Sequence, residues 1–81
     1  MKLFIIFHVY VVEKDKQETL LGTEERILEA KPLLRALKED GSTEVIFNRL
    51  RNEISGKYRE RYHVALPDEI KVLTAQVIPF K

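Results

Sequence analysis

The sequence predicts a small single α+β domain spanning residues 1–81, in the order strand, helix, helix, strand, strand, with an antiparallel sheet packed on a helical pair. Three observations predict it. Leu3 to Val12 is β-branched and aromatic almost throughout, two segments after residue 23 repeat apolar residues at helical spacing, and β-branched residues return from Glu69 to Ile78.

In the first strand, Leu3, Ile5, Phe7, Val9 and Val11 make one wholly apolar face. Phe4, Ile6, His8, Tyr10 and Val12 make a second that is nearly so, which predicts a strand central in its sheet or lying at an interface. Glu13 to Gln17 is a polar turn, with Glu18 to Leu21 pairing back at most as a short strand. Thr23 caps a first helix with Glu24 and Glu25 in its opening turn, where carboxylates suit the positive end of the dipole. Ile27, Ala30, Leu34 and Leu37 recur at helical spacing, and Pro32 marks either a kink or the start of a new helix. Asp40-Gly41 ends it.

Ser42 caps the second helix, whose apolar stripe is Ile46, Phe47, Leu50 and Ile54, and Gly56 is its expected stop. Lys57 to Leu66 then forms a strand, Pro67-Asp68 a type I turn, and Glu69 to Ile78 the last strand.

A chain of 81 residues buries only about 60–65% of the surface its unfolded form exposes. A deep walled active site is therefore not expected, and self-association is a natural way to bury more apolar area. The absence of cysteine excludes disulfides, thiolate nucleophiles and thiolate metal sites together, and fits a reducing cytoplasm. Leu3 to Val12 is too short to cross a bilayer, and no small-x-small cleavage site follows it, so no membrane association is expected. Gly22, Gly41 and Gly56 are isolated, which excludes a phosphate-cradling loop or dinucleotide fingerprint, and no cofactor is expected. His8 and His63, without cysteine, make no metal motif.

Net charge is +1, but its distribution is uneven. Residues 13–31 hold six acids against four bases, and residues 49–63 hold five bases against two acids. Read as a strand, residues 57–66 place Lys57, Arg59, Arg61 and His63 on one face, with Tyr58 and Tyr62 on the other. Such a row suits an anionic partner, and Arg51 on the preceding helix extends it. His63 beside two arginines is the candidate general base, with Arg59 and Arg61 as candidate anion ligands. Arg59 and Arg61 also fit an ordinary solvated face, and Arg49 and Glu53, four apart on a helix, are placed to pair.

The segment Gly56-Lys57-Tyr58-Arg59-Glu60-Arg61-Tyr62-His63-Val64, followed by Glu69-Ile70-Lys71-Val72-Leu73, is similar to the middle strands of RelE/ParE-type bacterial toxins. The resemblance covers roughly residues 42 to 75. It implies either metal-free RNA cleavage carried by Arg59, Arg61 and His63, or, in the ParE-like case, inhibition of a partner by binding alone. The two-sided apolar strand and the missing catalytic motifs predict a non-enzymatic interaction protein with a protein partner, assembled as a homo-oligomer, most simply a homodimer. RNA binding or cleavage through residues 57–63 is the alternative.

Overall fold

Both faces of the first strand are apolar, and the fold is arranged around covering one of them. In the computed structural model, which describes residues 1–63 and 69–81, strand β1 (Lys2–Val12) is the middle of a three-stranded antiparallel sheet. It is flanked by β2 (Glu18–Glu29) and β3 (Ile70–Phe80), in the spatial order β2-β1-β3. Helices α1 (Ala30–Asp40) and α2 (Glu44–Tyr62) join β2 to β3. The α+β class and the central position of β1 are as expected, but the element order is β-β-α-α-β, with no strand between α2 and β3 among the described residues.

β1 and β2 form a hairpin whose register runs from Val12 opposite Glu18 to Lys2 opposite Glu29. The polar turn closes through the Glu13 N–H on the Gln17 carbonyl at 2.8 Å, and the Asp15 carboxylate accepts from the Gln17 N–H at 3.1 Å. β2 is thus a full strand of 12 residues, not a short one, and Thr23 caps no helix. The helical spacing of Ile27 and Ala30 lost to backbone pairing: β1 offers a complete edge of donors and acceptors that must be satisfied. β2 meets it with Leu21, Glu24, Arg26 and Leu28 toward the helices and Leu20, Thr23, Glu25 and Ile27 away.

α1 starts at Ala30, whose N–H bonds the Met1 carbonyl at 3.0 Å. Pro32 is its third residue, where a missing N–H removes no helical bond, so the proline begins the helix and does not kink it. Gly41, at φ 70°, closes it with its N–H on the Leu37 carbonyl at 3.0 Å. The Ser42 hydroxyl then accepts the Glu44 N–H at 3.1 Å as α2 begins.

α2 does not stop at Gly56. It continues to Tyr62 and ends on His63, which takes the left-handed closing conformation at φ 56°. A mid-helix glycine costs about 1 kcal/mol, and burial offsets it, because Ile54 and Tyr58 one turn apart both lie against the sheet. Residues 57–63 are therefore helical or cap the helix, and not the strand predicted there; the rest of that predicted strand, 64–66, lies outside the described residues. The Pro67-Asp68 turn lies outside the described residues.

The core is one-sided. Ile5, Phe7 and Val9 of β1 are fully buried with Ile54, and Tyr58 and Ile70 complete the cluster. Leu3, Val11, Leu28, Phe47, Leu50 and Val72 pack around it. Each such side chain contributes about 1.5–3 kcal/mol on burial. Phe7→Lys places an unpaired ammonium at the centre of this cluster and is expected to destabilise the domain by about 3–5 kcal/mol. An unchanged midpoint of thermal unfolding would remove Phe7 from the core.

Candidate functional site

Successive residues of a helix point about 100° apart, so α2 disperses the basic residues that a strand would have aligned. Lys57 turns toward β2, where its Nζ lies 3.0 Å from Glu24 Oε1. Arg59 turns the other way, into a cleft between α2 and β3. The Arg61 guanidinium sits 5.1 Å from the centre of the Tyr58 ring, a cation–π arrangement, and the Tyr58 and Tyr62 rings stack at 6.0 Å. His63 is exposed at the helix end, where its backbone N–H caps the carbonyls of Arg59 and Glu60. Lys57, Arg59, Arg61 and His63 thus share no face. Arg51 lines the same cleft as Arg59.

On the β2 side, Glu24 is 14% exposed and accepts from two residues of α2. Lys57 donates to Oε1, Tyr58 donates its hydroxyl to Oε2 at 3.1 Å, and Arg26 lies 3.5 Å away. The Lys57 hydrogen bond holds the Glu24 carboxyl below its ordinary value of 4.5; burial opposes this, and the Tyr58 hydroxyl and the charges of Lys57 and Arg26 reinforce it. Tyr58 is pushed above 10.0, first by burial and then by its bond to the Glu24 anion. Gly22 makes the reach possible: a Cβ there would stand 2.6 Å from the Tyr58 hydroxyl oxygen.

The α2–β3 cleft encloses about 290 Å³. Asn48, Asn52, Ser55 and Arg59, spaced i, i+4, i+7 and i+11, make its helical wall, and Ile70 and Val72 make its floor. Arg51 is fixed by the Thr74 hydroxyl at 2.8 Å, the Asn48 amide oxygen at 2.5 Å and the Glu44 carboxylate at 3.1 Å. Arg59 is different. Its Nε–H is shut off from solvent with no acceptor among the described residues, and leaving such a donor unmet costs about 1–3 kcal/mol.

The sheet face away from the helices carries Phe4, Ile6, His8, Tyr10 and Val12 of β1, all half-buried only by their own neighbours. Ile27 on β2 and Ile78 on β3 both sit opposite Phe4, 59% and 38% exposed. Leu20, Leu73 and Phe80 extend the apolar surface. His8 lies at its middle, edge-on to Tyr10 at 6.4 Å, between Thr23 and Leu73. Lys71 reaches over β1 to Glu18 at 2.6 Å and closes one end. Among the described residues, no helix is long and apolar enough to cross a membrane, and no group of three or more His, Asp or Glu side chains is placed to hold a metal ion.

No family model matches the chain, and no curated protein or solved structure is significantly similar to it. Of the residues that carried the likeness to RelE/ParE toxins, 56–63 are the end of α2 and its cap and not a strand, while 70–73 lie in β3.

Sequence reasoning found the apolar second face of β1 and missed both the Glu24 network and the cleft wall. The periodicity Phe47, Leu50, Ile54, Tyr58, continued through Gly56, was the signal that would have placed Asn48, Asn52, Ser55 and Arg59 on one line.

A carboxyl whose pKa is lowered on folding stabilises the domain above its unfolded value, and that contribution is lost as pH falls through the folded value. Glu24→Gln is therefore expected to cost about 1 kcal/mol at pH 7, since Lys57 is half exposed, and to flatten the fall in stability below about pH 4.5. A denaturation series from pH 7 to about pH 3 checks this, and parallel acid limbs for the two proteins would contradict it. Gly22→Ala is expected to push the Tyr58 hydroxyl off Glu24 and destabilise by about 1–3 kcal/mol, read as a lower unfolding midpoint, which should not fall if the ring simply moves aside.

Proposed function

We propose that this protein works by binding rather than by catalysis, as a homodimer built through the open face of its sheet. The observation that carries the reading is the apolar surface of Phe4, Ile6, Tyr10, Ile27, Ile78 and Leu73, which the helices leave uncovered.

Size supports a second copy as the occupant. A compact monomer of 9.5 kDa is expected to expose about 5050 Å², and this chain exposes 5925 Å². The excess is close to the roughly 800 Å² that each partner contributes to a standard interface. The radius of gyration of 14.1 Å likewise exceeds the roughly 11.7 Å of a compact chain of this length.

Charge supports a particular symmetry. β2 contributes Glu18, Glu25 and Glu29 to the open face, and β3 contributes Lys71. A two-fold axis along β1 lays β2 of one copy over β3 of the other, which sets Glu18 near Lys71 of the second copy and Ile27 over its Ile78. Sheets packed this way bury both inner faces within about 10 Å of each other. The RNA-directed alternative needed Lys57, Arg59, Arg61 and His63 in one row, an arrangement that α2 does not provide.

Sedimentation at about 50 µM, well above the dissociation constant expected of an interface of this size, should show a dimer. Ile6→Glu, on the open face, should give a folded monomer, and Leu37→Glu, an exposed position of α1 on the helical side, should leave the dimer intact. A wild-type monomer, or loss of the dimer in Leu37→Glu alone, would overturn the reading.

A further inference from the structure

We infer that the cleft between α2 and β3 is a binding site for a phosphorylated small molecule, which it holds by a single phosphoryl group. The cleft lies on the helical side of the sheet, so it is independent of the open face and stays accessible in the dimer.

Arg59 motivates the assignment. Its Nε–H is buried without an acceptor among the described residues, on a guanidinium that forms no ion pair within 4.0 Å there. A guanidinium presents its donors in a planar fork that matches two oxygens of a phosphate; the Nε–H itself is closed to the cleft, and the Nη donors, which hold no partner among the described residues, are the ones an anion there would meet. The opposite end of the cleft holds a second guanidinium in a fixed pose, because Thr74, Asn48 and Glu44 grip Arg51. Between them stand the Asn52 amide and the Ser55 hydroxyl, which can donate to the remaining phosphate oxygens or to the group the phosphate carries. Among the described residues no carboxylate lines the cleft, and Glu44 is committed to Arg51.

The volume of about 290 Å³ suits a phosphate with a small organic body lying on the Ile70–Val72 floor. Nucleic acid is a poorer fit. A phosphate backbone is held by a track of cations, and here Lys2, Arg26, Lys57 and Lys71 are each taken up by a carboxylate of β2. Among the described residues, what remains at the cleft is the Arg59 guanidinium, without an ion pair, and that of Arg51 beside it.

The test is a two-dimensional ¹H–¹⁵N NMR titration of the intact chain with inorganic phosphate, with ribose 5-phosphate, and with single-stranded RNA, at constant ionic strength set by chloride. Ribose 5-phosphate should bind more tightly than inorganic phosphate and should shift the Arg59 Nε–H and the Asn52 side-chain amide. Arg59→Leu should weaken binding at least tenfold while the unfolding midpoint without ligand holds or rises, because an unmet buried donor is removed. Arg59→Lys, which keeps the charge but loses the fork, should weaken it nearly as much. The same titration in Ile6→Glu should give wild-type affinity, which separates this site from the dimer. Three results would overturn the inference: no shift at Arg59 beyond that of chloride alone, unchanged affinity in Arg59→Leu, or tighter binding of RNA than of ribose 5-phosphate through the same resonances.

Discussion

A strand with two apolar faces in a chain of 81 residues is the constraint on which the rest of this structure depends. β1 occupies the middle of the sheet, so both of its edges are paired and its backbone polar groups are met. Its side chains are not so fully accommodated. Two helices of 11 and 19 residues cover one face, and nothing in the described chain is left over for the other. The buried face, with Ile5, Phe7 and Val9 fully enclosed, holds the domain together; the remaining face is left uncovered by the helices.

The seam between α2 and β2 decides where the chemistry of the helix points. Tyr58 is pressed over Gly22 with its hydroxyl on Glu24, and Lys57 joins the same carboxylate. With those two residues committed to β2, helical geometry directs Arg59 to the β3 side. The pose of the cleft arginine is thus a consequence of an ion-pair network on the opposite flank of the same helix.

How much of this was legible in the sequence depends on which physical effect ruled each segment. The central position of β1 followed from its alternation, and the C-terminal end of α1 and the start of α2 followed from Gly41 and Ser42. Glu18 to Glu29 was misread because Thr23-Glu24-Glu25 has the local chemistry of a helix start, while the requirement to pair an edge of β1 is a tertiary effect with no local signature. Lys57 to His63 was misread because Gly56 is a strong local stop and alternating charges mimic a strand. Burial of Tyr58 outweighed the glycine, and that burial exists only once β2 lies beneath it. The cleft was illegible for the same reason: its wall is a line of polar residues that becomes continuous only when the helix runs through Gly56.

The path of the chain also sets an order of assembly. β1 and β2 meet through a turn of five residues, Glu13 to Gln17, a local closure of the kind completed in microseconds. β3 must find the other edge of β1 from the far end of the sequence, with Lys2 opposite Phe80 at the extreme, and closing so long a loop is entropically expensive until the docked helices shorten the search. The pairing of β3 with β1 is thus the costliest closure of the sheet. While β3 is away, β1 has an unpaired edge flanked by its own apolar side chains, the condition under which strands from different molecules add to one another. Pairing with β3 is therefore also what withholds that edge from the strands of other molecules.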